Sequence, residues 1–139
     1  MDSTEQLHQI GAVADSVGLS LRTIRHYEEV GLVIPSGRSA GGFRLYTDAD
    51  IDRLAQVRDM KPLGFSLEES VEILALRAEV ADETIAPDGL DRLSGFAARA
   101  EQRLLTLRQQ LDRARSFTAT VREEIDLAGS GKEPARTRR

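Results

Sequence analysis

Between Ile10 and Tyr46 the chain reads IGAVADSVGLSLRTIRHYEEVGLVIPSGRSAGGFRLY, and glycine and proline cut this run into pieces too short to fold alone. The spacing predicts a first helix over Ala12 to Val17. Gly18 then supplies the left-handed conformation of a helix end. Ser20 is placed to cap a second helix, Leu21 to Val30, by accepting a bond from an orphan backbone N–H. Gly31 ends that helix and Pro35 bars its continuation. Gly37, Gly41 and Gly42, followed by the alternating FRLY run, predict a hairpin. Helices this short are unstable in isolation, so the pieces must bury their apolar faces on one another. Two short helices joined at a glycine turn and followed by a hairpin have the order of parts of a winged helix-turn-helix.

Thr47 and Asp50 have the spacing of a capping box, with Asp in place of the usual Glu or Gln. The helix they open carries Ile51, Leu54, Val57 and Met60 at helical intervals, and Pro62 is expected to end it. Ser66 and Glu69 form a second capping box. Leu67, Val71, Leu74 and Ala75 of the following helix are expected to face inward. Residues 79–89 are acidic, contain Pro87 and Gly89, and read as a linker. Phe65, Ile73, Leu76 and Phe96 could line a small pocket, but ordinary core packing is the expectation.

Beyond the linker, Leu90, Leu93, Ala97, Ala100, Leu104, Leu107, Leu111, Ala114, Thr118, Val121 and Ile125 recur at intervals of three and four. All but Thr118 are apolar, so this is a heptad seam. The other faces carry Arg, Glu, Gln and Asp. Each buried seam Leu contributes about 1.5–3 kcal/mol, but only against a matching surface. The helices before Glu79 are too short to cover it, which leaves a second copy of the chain as the simplest partner. In a parallel pair Arg103 would face Arg108 of the partner subunit. An antiparallel register instead sets Glu101 against Arg115 of the partner subunit, and this weakly favours an antiparallel coil.

The expected organisation is therefore mostly α: a winged helix-turn-helix over 1–78 with a frayed end at 1–8, a linker over 79–89, a dimerisation helix over 90–127, and a disordered basic tail over 128–139. Aromatic residues make up 4% of the 139 and Trp is absent, which suits a helical protein better than a β-sandwich. No apolar run reaches membrane-spanning length and MDSTEQLHQ has no apolar signal core, so a cytoplasmic location is expected.

The net charge of -4 does not favour nucleic acid if charge is read globally. DNA binding needs a basic face, however, not a basic average. From Ser20 to Tyr46 there are four arginines against two acids, Glu28 and Glu29. At about 100° per residue, Leu21, Ile24 and Tyr27 fall on one side of the second helix. Arg22, Arg25, His26 and Glu29 fall on the other. Arginine can bond two acceptors of guanine or grip a phosphate. Thr23 flanks that face. Arg38 and Arg44 lie in the hairpin, where Tyr46 is placed either to reach a phosphate or to pack beneath it. Glu28 lies near the packed side, where a buried ion pair or a capping role is expected rather than a DNA contact. Arg58 and Lys61 could reach flanking phosphates, with Arg58 more simply a solvated charge. As an ordinary charged helix face the pattern would carry no function, and the hairpin arginines tip the balance.

Enzyme chemistry finds no support: there is no cysteine, no Ser–His–acid spacing and no phosphate-cradling glycine loop. No catalytic residue, metal or cofactor is expected. Asp82, Glu83, Asp88 and Asp91 read as a solvated acidic linker rather than a cation site.

IGAVADSVGLSLRTIRHYEEVGL, RSAGGFRLYTDADIDRL and LGFSLEES together resemble the mercury-resistance-regulator (MerR) family of bacterial transcription factors, densely over residues 9–77. The resemblance implies a homodimer joined by an antiparallel coiled coil. It also implies binding to pseudo-palindromic promoter DNA, distortion of the promoter spacer, and RNA polymerase holoenzyme as a partner. It implies that Ser20, Arg22, Thr23, Arg25, His26 and Tyr27 lie at the major groove. Arg38, Arg44 and Tyr46 would be wing contacts and Lys61 a backbone contact. Pro62 departs from the family pattern, in which the helix continues. Metal- and redox-sensing members use cysteines, and this chain has none; its two histidines are His8 and His26. A thiolate metal or iron–sulfur sensor is therefore excluded by ligand chemistry. At this length no large C-terminal drug-binding domain is expected. The effector stays open, as do activation versus repression and the competing readings of an architectural DNA-bending protein or an adaptor.

Overall fold

The computed structural model describes residues 6–35 and 37–131. In chain order the elements are β1 (His8–Gln9), α1 (Ile10–Val17), α2 (Leu21–Glu29), β2 (Gly37–Arg38) and β3 (Arg44–Tyr46). There follow α3 (Asp48–Met60), a 3-10 turn (Lys61–Leu63), α4 (Leu67–Ala81) and α5 (Pro87–Gly129). The chain divides into two compact units, Met1–Ala97 and Ala98–Arg139.

In the first unit α2, α3 and α4 each start where a side chain satisfies an orphan N–H, whereas α1 follows Gln9 without a side-chain cap. Thr47 and Asp50 form the reciprocal capping box, as do Ser66 and Glu69. Helix α1 stops at Gly18, whose φ of 71° is left-handed and whose N–H returns to the Ala14 carbonyl. Pro62 sits in the 3-10 turn and ends α3 at Met60. The strands form one small antiparallel sheet in the order β1-β3-β2, with Tyr46 opposite His8 and Arg38 opposite Arg44.

Val13, Val17, Ile24, Leu54, Val57 and Tyr46 are the centre of the core, joined at its edge by Ile73, Leu76 and Phe96. Phe65 meets Phe96 edge-on at 5.7 Å, so these aromatic and aliphatic groups pack as core. Arg92 pairs with Glu72, its Nη2 2.6 Å from Oε1, and lies over the Phe96 ring. This tethers the start of α5 to α4. Hydrogen bonding to Arg92 holds the Glu72 carboxyl below the usual carboxylate range.

Several boundaries differ from those expected. Helix α1 begins at Ile10, not Ala12, and α2 stops at Glu29. His8, expected to fray, pairs with β3 together with Gln9, and His8 Nε2 lies 2.8 Å from Asp48 Oδ1. No periodicity marks a strand of two residues, and only its neighbour across the sheet makes it one. The linker shrinks to residues 82–86: α4 runs to Ala81, and Pro87 opens α5, where its missing N–H costs nothing. Val71 and Ala75 face outward; Ser70 and Ile73 take the inward positions. Helix α5 continues through Gly129, so the expected tail is helical at its start; its residues 132–139 lie outside the described residues, as do 1–5 of the expected frayed end.

Leu54 is fully buried. Leu54→Ala is expected to lower the unfolding free energy by about 2–5 kcal/mol. Leu54→Met should cost under about 1.5 kcal/mol. Urea denaturation of both variants checks this, and equal small losses would contradict the packing.

Candidate nucleic-acid interface

Helix α2 is held by its ends and by one face. Ser20 Oγ accepts a bond from the Thr23 N–H at 3.0 Å and donates to Thr23 Oγ1 at 2.9 Å. Ile24 and Tyr27 are buried against the core. At the far end, Arg53 Nε donates to the Leu32 carbonyl at 2.6 Å, fixing the exit from the helix. With that face pinned, helical geometry turns Arg22, Arg25, His26 and Glu29 outward, where they line one shallow surface cleft.

The wing is a short hairpin closed by its own backbone. The Ser39 N–H donates to the Phe43 carbonyl at 2.8 Å, and the Gly42 N–H donates to the Ser39 carbonyl at 2.8 Å. Gly42 has φ 85°, a conformation that side chains resist. Arg38 Nη1 donates to the Gly42 carbonyl at 3.0 Å yet stays exposed. Phe43 is 61% exposed beside it. Lys61, on the 3-10 turn, lines a cleft together with His26 and Phe65. Pro62 thus leaves Lys61 next to the outward face of α2.

The structure separates arginines that look alike in sequence. Arg22 and Arg25 are exposed, and among the described residues neither makes a hydrogen bond or ion pair. Arg44 is different: its Nε lies 2.6 Å from Glu28 Oε1, an ion-pair distance without hydrogen-bond alignment. Arg58, expected to be solvated, sends Nη1 to the Val17 carbonyl at 2.9 Å and so caps the end of α1.

Two expected contact residues are corrected. Tyr27 is buried with 6% exposure, because the spacing that aligns it with Ile24 turns its ring into the core. Tyr46 is completely buried, and among the described residues its hydroxyl has no hydrogen-bond partner. It packs beneath the wing, which rules out a phosphate contact in this conformation. Burial raises the Tyr46 hydroxyl pKa, and Glu28 adds to the effect.

Residues 9–76 match the family profile described as MerR HTH family regulatory protein. Heavy metal-dependent transcription regulator 1 of Rhizobium meliloti (strain 1021) is 33% identical over 125 residues, which is 84% of this chain and 85% of that protein. The chain belongs to the MerR family. The HTH-type transcriptional activator TipA of Streptomyces coelicolor is 45% identical over 67 residues, 48% of this chain and 26% of its own length. The chain thus spans about a quarter of the first curated relatives it matches. A solved structure of HiNmlR, described as a MerR family regulator lacking the sensor domain and bound to promoter DNA, aligns with a TM-score of 0.61. The alignment covers 88% of this chain and 92% of that one at 24% identity, a likeness of fold.

The MerR match spans α1 to α4, which contain the outward arginines, the wing and Lys61. It stops before the seam. Within the second unit Leu104, Leu111 and Ile125 are each about half exposed. Leu105 and Phe117 are exposed outside the seam, so the apolar stripe is wider than the heptad pattern implied. Leu93 packs against the core of the first unit, which occupies one seam position within the chain itself. Among the described residues no helix is long and apolar enough to cross a membrane.

Tyr46→Phe removes a buried hydroxyl that has no partner among the described residues. Stability at neutral pH should be unchanged or higher by about 1 kcal/mol. A raised folded-state pKa means that neutral Tyr46 favours folding at low pH and that this is lost as pH climbs past the ordinary value of 10.0. Thermal melts from pH 8 upward should therefore fall less steeply for the Phe variant. Parallel curves would show that Tyr46 does not titrate against the fold.

Proposed function

We propose that this chain is a homodimeric, sequence-specific DNA-binding transcription regulator. One observation carries the reading: Arg22 and Arg25 stand unpaired on the outward face of a short helix whose other face is locked into the core, with a hairpin wing beside it. A rigid guanidinium pair on a helix is suited to base edges in the major groove. Thr23, His26, Arg38 and Lys61 flank it and supply phosphate contacts that set register and most of the affinity. Ser20 contributes by capping the helix.

Support also comes from the relatives, which are named as transcription regulators and activators. The fold neighbour is described as bound to promoter DNA. On this reading the residues from Leu104 to Ile125 pair two chains, antiparallel, and present two modules to adjacent half-sites. Ala97, Ala100, Leu107, Ala114 and Val121 complete that seam, and Leu90 is its first position along the chain. Distortion of the DNA between the half-sites, with RNA polymerase holoenzyme as the responding partner, is the proposed mechanism. The site is cytoplasmic and needs no enzyme chemistry. The relative from Rhizobium meliloti is named for heavy metals, but this chain has no cysteine to bind them through thiolates.

DNase footprinting on the region upstream of the protein's own coding sequence should reveal two protected half-sites. With that duplex, Arg25→Ala should weaken binding by about 1–3 kcal/mol in anisotropy titrations. Unchanged affinity would remove α2 from the interface. Sedimentation equilibrium at micromolar concentration should give twice the chain mass for the wild type and a single chain mass for Leu104→Glu with Leu111→Glu. A monomeric wild type would overturn the dimer.

A further inference from the structure

We infer that Glu28 and Arg44 form an internal clasp that positions the wing on α2, so that Arg44 is a positioning residue and not a phosphate contact. This deepens the DNA-binding reading and rests on it.

The Glu28 side chain is 15% exposed and sits on α2 one residue after buried Tyr27. A carboxylate this enclosed needs a cation beside it, and Arg44 Nε provides one at 2.6 Å. Arg44 and Tyr46 are two residues apart on β3, so both side chains leave the same face of the sheet. That face meets α2. Tyr46 is wholly buried there and feels the charges of both Glu28 and Arg44. The three side chains thus form one polar seam between the helix that carries Arg22 and Arg25 and the strand that carries the wing. Nothing else on the hairpin is charged except Arg38, whose bond to the Gly42 carbonyl stays within the hairpin itself.

If Arg44 turned to a phosphate it would leave the enclosed Glu28 carboxylate without its partner. The exchange replaces one ion pair by another and strands a charge. Arg38, exposed at the wing, reaches a phosphate without that cost. The same geometry explains an acid at this position in a DNA-facing helix: paired inward, Glu28 adds little repulsion toward the duplex.

The test uses the full chain and its footprinted duplex. Anisotropy titrations across a salt series would compare Glu28→Gln, Arg44→Gln and the double variant with wild type, each checked for folding by circular dichroism. The clasp predicts that both single variants bind about tenfold more weakly, that the double variant is no weaker than the worse single, and that the salt slope stays at the wild-type value. A lost phosphate contact would instead lower the slope by about 0.9 per protomer in Arg44→Gln. That result, with Glu28→Gln binding as well as wild type or better, overturns the clasp.

Amide exchange in the free protein provides a reading independent of DNA. Wing amides such as Ser39, Gly42 and Phe43 should exchange faster in either single variant, and unchanged exchange overturns the inference. Failure of the wild type to bind any duplex would count against the function proposed above, while the exchange result would still decide the clasp.

Discussion

The burial of Ile24 and Tyr27 is the constraint on which the site depends. A nine-residue helix has no stability of its own in water. It persists because one face is held by α1 and the core and because Ser20 satisfies its first turn. The same burial fixes the rotation of the helix about its axis. With Ile24 facing in, Arg22 and Arg25 have nowhere to go but out. Stability and presentation of the charged face are thus one event.

Arginine serves four distinct purposes within the first unit. Arg22 and Arg25 are left unpaired on the surface. Arg53 and Arg58 each donate to a main-chain carbonyl at the end of a segment, Leu32 and Val17. These carbonyls are orphans of helix ends and turns, and a long guanidinium from α3 reaches them where no backbone N–H can. Arg92 ties α5 to α4 through Glu72. Arg44 neutralises Glu28. A count of basic residues therefore overstates the positive surface available to a polyanion, and the net charge of -4 understates it, because charge is allotted residue by residue.

Much of this was legible in the chain. The glycine stops, both capping boxes, the proline end of α3 and the sidedness of α2 follow from local rules in which a residue's effect is exerted within a turn or two. The inward placement of Glu28 was also readable from its place on the helix wheel, which left an ion pair and a capping role both open. Tyr27 shows where motif and periodicity disagreed: the resemblance put it at the groove, the helical spacing put it in the core, and the spacing prevailed. Tyr46 left both options open, because alternation on a three-residue strand does not say which face is covered. The β1 strand, the role of Arg58 and the inward use of Leu93 had no local signal at all.

The sequence alone determined the order of the helices and the wing, the capping boxes and glycine stops, the outward arginine face of α2 and the apolar stripe of α5, since each depends on side chains close together along the chain. Only the tertiary structure decided which charges remain available. Arg44 and Arg58 find their partners 16 and 41 residues away. Such pairings arise when packing brings distant segments within ångströms, and no periodicity in either segment encodes the other's position.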